Sequence, residues 1–201
     1  MLRGMLGAML RGWLLVALFW GSAWAQTPWQ RAEDGFFIVY TAAEADAHPL
    51  PQVFAILQQA RRDLGRHWQL PLSAEVSLYI HPNLDSFTHT TGLPWYVAGV
   101  ADRRTQRIDV QRLRVLLERH SLQATLRHEL FHLAQPEDWP RWRAEGSAMI
   151  FAGERPRAEP LPDLSDAELD ALLAEAMQMQ LLERAAATAY WRTRAYLRAQ
   201  P

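Results

Sequence analysis

The chain has 201 residues, which makes room for one domain rather than two. About half of them are hydrophobic (49%), enough for a real core, and there is no cysteine, which excludes a disulfide framework and a lipid anchor on cysteine. The formal net charge is −1, and without a basic surplus a nucleic-acid partner is not expected. All 21 basic residues are arginine, which genome composition explains as well as function would.

The N-terminus is a case of its own. Arg3 and Arg11 are the only charges before Arg31, and residues 13–20 form an apolar run. That run is shorter than the roughly 20 residues needed to span a bilayer. It ends at Ala23-Trp24-Ala25, small residues at the positions a signal peptidase reads. Residues 1–25 are therefore expected to be a secretory signal peptide cleaved after Ala25, the alternative being an uncleaved anchor. Met-Leu-Arg-Gly occurs at Met1 and again at Met9, so either could be the start. The remaining 26–201 is expected to form a single secreted, periplasmic or cell-envelope domain with no stable membrane insertion. It keeps 19 of the 21 arginines against 22 acidic residues, a net charge of −3.

Residues 36–40, aromatic and β-branched, read as a strand. Residues 52–68 carry Val53, Phe54, Ile56, Leu57, Ala60 and Leu64 at helical spacing. Residues 76–80 alternate as a strand, and 83–91 read as a short helix or loop. Residues 95–101 and 107–110 read as two strands joined by a polar turn, 102–106. From Ser121, a good N-cap, a helix is expected to Ala134, before the break at Pro136. Pro140 suits the first turn of the next helix, which Gly153 can stop. Residues 153–163, with Pro156, Pro160 and Pro162, read as an exposed loop. Ser165-x-x-Glu168 is a capping-box pattern opening a helix to about 178, and a last helix covers about 181–199. The predicted fold class is α+β: a small mixed or antiparallel N-terminal sheet with a packing helix, then a helical half.

The helix at 122–134 contains His128-Glu129-Leu130-Phe131-His132. Residues four apart stand on one helix face, about 6 Å apart along the axis. Two imidazoles so placed can meet at one tetrahedral ion, and Glu129 beside the first can hold a bound water on the open side of the metal. A catalytic zinc needs a third protein ligand and a vacant position. Glu145, in Trp142-Arg143-Ala144-Glu145-Gly146-Ser147-Ala148, is the natural candidate. Gly146, Ser147 and Ala148 are small enough for two helices to approach closely, and Pro136 and Pro140 allow the reversal that would face this helix to the first. A histidine six residues past His132, the alternative third ligand, is absent because position 138 is Asp. The bland alternatives are a chance pair of helix histidines and a surface carboxylate near a helix N-terminus. His48, His67, His81, His89 and His120 read as solvated or hydrogen-bonded residues. Arg61-Arg62 and Arg103-Arg104 read as solvated faces.

His128-Glu129-x-x-His132 followed by Trp142-x-x-Glu145-Gly146-x-Ala148 resembles the gluzincin metallopeptidases, and more narrowly the bacterial peptidase MA-like domains. The likeness spans about residues 30–200, with its specificity in 128–148. It implies a zincin-like fold, one zinc per chain held by His128, His132 and Glu145, and Glu129 as catalytic base. It further implies a sheet-edge strand that binds the substrate backbone, for which Trp95-Tyr96-Val97-Ala98-Gly99 is the candidate. Such enzymes often place a Tyr or His from a later helix at the oxyanion. Tyr190 is the first candidate here and Tyr196 the second, with core packing of both tyrosines as the equal alternative. Some gluzincins have an acidic residue one turn past the third ligand to orient a histidine. Met149 stands there, so that group must come from elsewhere or be absent. The expected partner is a peptide or protein substrate. The other readings are a zincin-fold binding module without turnover and an amidase acting on a cell-wall bond.

Overall fold

The computed structural model describes residues 29–42, 46–175 and 178–200. The expected signal peptide lies outside the described residues. The N-terminal half is a five-stranded mixed sheet, and helices build the rest, seven α-helices being present among the described residues.

The first hairpin joins β1 (Gln30–Glu33) to β2 (Phe37–Thr41) in antiparallel register, Ala32 opposite Val39. Its turn uses Gly35 at φ +87°, a left-handed conformation that glycine adopts without steric penalty. β1 was not expected from the sequence: it is a solvated edge strand with only Ala32 apolar, so it has no alternation to read. From β2 the chain crosses through α1 (Leu50–Asp63), which continues as a π-helical turn, Leu64–Trp68, and enters β3 (Val76–Ile80) parallel to β2. That turn ends at Gln69, with φ +55°.

After β3, α2 (Leu84–Thr91) is capped by Asn83, whose side chain accepts from the Ser86 N–H. β4 (Gly99–Asp102) then pairs antiparallel with β5 (Arg107–Val110), and β5 lies parallel to β3. The order is β1-β2-β3-β5-β4, so β4 is an edge. The expected strand over 95–101 is shorter than its sequence suggests. Residues 95–98 are not in a strand, because other groups take their carbonyls. The Gln111 side-chain amide donates to Trp95 O and Val97 O, both at 2.7 Å, and Val97 N–H turns back to Pro94 O.

A short helix that the sequence did not suggest, α3 (Leu113–Glu118), leads to α4 (Leu122–Ala134). Ser121 is the N-cap residue but makes no side-chain cap. Its backbone is already helical (φ −106°, ψ −7°), and its hydroxyl donates to Leu116 O instead. The remaining helices are α5 (Arg141–Ala152), α6 (Asp166–Glu175) and α7 (Met179–Arg198). The Ser165/Glu168 capping box forms in both directions: Glu168 N–H donates to Ser165 Oγ, and Ser165 N–H donates to Glu168 Oε2.

One face of the sheet, through Phe37, Val39, Leu78, Ile80, Ile108 and Val110, packs on α1 and α4 in the main core. A smaller cluster of Trp142, Leu169, Ala185 and Ala189 joins α5, α6 and α7. Gly146 belongs to that second contact. A Cβ there would run into Thr193 Oγ1 and Ala189 O of α7. Gly146 therefore serves the approach of α5 to α7, while α5 meets α4, as expected, through Ala148 and Phe151 in the main core. No helix among the described residues is long and apolar enough to cross a membrane.

Candidate metal centre

Helix α4 is locked in place before it presents any chemistry. Leu126, Leu130 and Phe131 are fully buried on its core side. Arg127 reaches both neighbouring helices, pairing with Asp63 of α1 at 2.8 Å and donating to Phe151 O of α5 at 3.0 Å. With that face anchored, the helical period turns His128 and His132 to the cleft, their rings 4.8 Å apart. Glu145 arrives from α5. Its first-turn N–H at Trp142 is capped by Asp170 of α6, at 2.6 Å.

The three expected ligands come together. One donor atom from each of His128, His132 and Glu145 lies within 4.8 Å of the others, and among the described residues no other such group occurs. His128 Nε2 is 3.4 Å from Glu145 Oε2, and His132 Nε2 is 3.5 Å from Glu145 Oε1. A tetrahedral ion with bonds of about 2.0–2.1 Å separates its ligand atoms by about 3.3–3.4 Å, and each imidazole stands close to that spacing from one oxygen of the carboxylate. Two imidazoles and one carboxylate suit zinc and leave a fourth position for water. The donor set fits the ion.

Both histidines are oriented from behind. His128 Nδ1 is 3.3 Å from Glu154 Oε1, and His132 Nδ1 is 2.9 Å from Gln135 Oε1. With the proton on Nδ1 and donated backwards, each ring offers Nε2 to an ion. Neither partner is a specified position of the His128–Glu145 motif. Gln135 is nonetheless legible in the sequence, since it stands three residues past His132 on the same helix face. Glu154 required the chain reversal after α5: Gly153 takes φ +77°, and Glu154 N–H closes back on Met149 O at 2.9 Å. This turn carries the carboxylate to His128, in place of the group missing at Met149.

The electrostatics belong to the metal-free protein. Burial pushes Glu129 up to about 7, and the negative charges of Glu145 and Glu154 add to it against the pull of His128. A divalent ion nearby would draw it back down. Burial also raises Glu145, but the charges of His132 and His128 and the His128 hydrogen bond outweigh it and bring Glu145 to about 2. Burial lowers His128, yet its bonds to Glu145 and Glu154 hold it well above the ordinary histidine value. His132 falls below that value, chiefly through burial.

Glu129 is buried, lines the cleft and stays outside the donor group. Its side chain lies on the backbone of β4. A Cβ at Gly99 would sit 3.0 Å from Glu129 Cγ and 3.2 Å from Oε1.

The cleft encloses about 810 Å³. Tyr96, Val97, Ala98 and Gly99 line it, as expected of a substrate wall, but Trp95 does not and is 56% exposed. Tyr190 does not line it either. It is buried in α7, with its hydroxyl accepting from Arg194, so the oxyanion role proposed for it has no geometric basis; Tyr196 packs on Trp142. From α7 the cleft instead receives Met179, Leu182, Glu183 and Ala186. Arg103, expected on a solvated face, also lines the cleft. A scan of known protein families finds none that matches the chain, and a search of curated proteins finds no match.

Proposed function

We propose that this chain is a secreted zinc-dependent peptidase of the gluzincin type, resembling the peptidase MA-like domains. The observation that carries the reading is the convergence of His128, His132 and Glu145 within 4.8 Å of one another, with the buried Glu129 one residue from the first donor. Zinc bound there would supply a Lewis acid for the scissile carbonyl and a water acidified from about 16 towards 7. Glu129 takes the proton of the attacking water and returns it to the leaving amine. Its packing against the β4 backbone fixes the carboxylate at the cleft wall, where it can reach that water. Glu154 and Gln135 keep His128 and His132 in the tautomer that binds metal. The edge of β4 that no other strand pairs offers backbone groups to an extended substrate.

The test is metal analysis of the purified protein with digestion of a peptide library, repeated on Glu129→Gln. We expect one zinc per chain, chelator-sensitive cleavage, and a fall in kcat of about 10²–10⁴-fold in the variant with zinc retained. Wild-type turnover by that variant would remove Glu129 from its role, and a protein that takes up no zinc would remove the proposal.

A further inference from the structure

We propose that the cleft selects substrates bearing a carboxylate a few residues from the cleaved bond, held by Arg103 and Arg141. This rests on the peptidase reading above and adds the substrate class to it.

The two arginines reach the cleft from different parts of the chain. Arg103 directly follows β4, four residues from the Gly99 contact with Glu129, which is about 13 Å of extended chain. Arg141 opens α5 one turn before Glu145, about 6 Å along the axis, on the face that carries the third donor. Both line the same cleft as the donor group.

The Arg103 guanidinium is not satisfied within the protein. Arg103 Nε is buried without a hydrogen-bond partner, and the carboxylate nearest its NH2 is Glu137 at 4.0 Å. Glu137 is 91% exposed, so that pair contributes little. Arg141 is exposed at the start of α5, and its charge acts on Glu145 and His132 without a direct hydrogen bond to either. Glu129, Glu137, Glu145, Glu154 and Glu183 also line the cleft, so its two arginines are the places where a substrate carboxylate is attracted rather than repelled. A buried donor without a partner is a standing penalty that a bound acceptor removes, and a planar guanidinium matches a carboxylate in a two-point contact.

The carboxylate can come from an Asp or Glu side chain or from the C-terminus of the substrate. Three peptides of otherwise identical sequence separate these sources: an internal Glu with an amidated end, the Gln analogue with an amidated end, and the Gln analogue with a free end. Binding is measured on zinc-loaded Glu129→Gln by titration calorimetry, and cleavage on the wild type. We expect the Glu peptide or the free-end peptide to bind roughly tenfold tighter than the amidated Gln peptide. Arg103→Ala with Arg141→Ala should erase that ratio, and Arg103→Glu should invert it in favour of a Lys peptide. Equal binding of all three peptides, or a ratio unchanged in the double variant, overturns the inference. If the wild type cleaves none of them but the arginine-dependent preference in binding persists, the peptidase reading fails and the carboxylate site stands.

Discussion

Gly146→Ala offers a quantitative test of how the third donor is held. The added methyl would meet Thr193 Oγ1 and Ala189 O, and would lie 2.8 Å from Ala189 C. A threonine hydroxyl can rotate away, but the Ala189 carbonyl belongs to the α7 backbone. Helices α5 and α7 must therefore separate, loosening the cluster of Trp142, Leu169, Ala185 and Ala189. Overpacking of this kind costs about 1–3 kcal/mol, and here the upper end applies because the obstacle is backbone. Alanine returns about 1 kcal/mol of helix propensity. The net loss is then about 2 kcal/mol, a fall in Tm of roughly 4–8 °C for a chain of this size. Thermal unfolding of the metal-free protein measures it. Because Glu145 precedes Gly146, zinc affinity by chelator competition should fall as well. Ser147→Ala is the control on the same helix. Its hydroxyl is buried without a partner, so its removal should be neutral or stabilising. A Gly146→Ala protein that melts at or above the wild-type temperature would refute the close packing of α5 on α7.

Other outcomes follow from the same geometry. Gly99→Ala should press on Glu129 and on Thr125 Cγ2, 3.1 Å away, and lower kcat about 10–100-fold with zinc content unchanged; full activity would show that the base does not rest on β4. Glu154→Gln and Gln135→Ala should each weaken zinc binding about 10–100-fold in chelator competition, and wild-type affinity in both would rule out their orienting role. Because His128 in the metal-free protein sits above the ordinary value of about 6.5, zinc uptake at neutral pH should release a proton from it, read by calorimetry in buffers of different ionisation enthalpy. Affinity should fall as pH drops through that raised value, and metal content flat down to about pH 4 would count against the site. In the metal-free protein the His128 ion pairs stabilise the fold fully below about 6.5 and are lost as pH rises through the raised value. On the far face of the sheet, burial raises Asp109, but hydrogen bonds from His81 and Arg107 outweigh it and leave the group below its ordinary value. Its contribution is present above about 3.9 and lost as pH falls through the lowered value, so Asp109→Asn should flatten the acid limb of the stability curve.

What the sequence determined by itself is what local periodicity and capping chemistry encode. The spacing of His128 and His132 places them on one helix face before any packing is known. The Val76–Ile80 and Arg107–Val110 strands stand at their predicted bounds, and the Ser165 capping box and the Gly153 stop form as read. The mixed α+β class follows from the same signals. Tertiary structure decided everything that depends on who approaches whom. β1 exists because β2 offers it a partner, not because of its own polar sequence. Residues 95–98 read as a strand yet lose their carbonyls to a glutamine that follows β5. Tyr190 turned inward because α7 packs on α5, which left Glu183 and Leu182 to face the cleft. Glu154 reached His128 through a left-handed turn, a distance of 26 residues that no helical period connects. Periodicity acts within one or two turns of chain, whereas a metal centre is completed by contacts across it, and those are settled only when the hydrophobic faces of α4, α5 and the sheet have found each other.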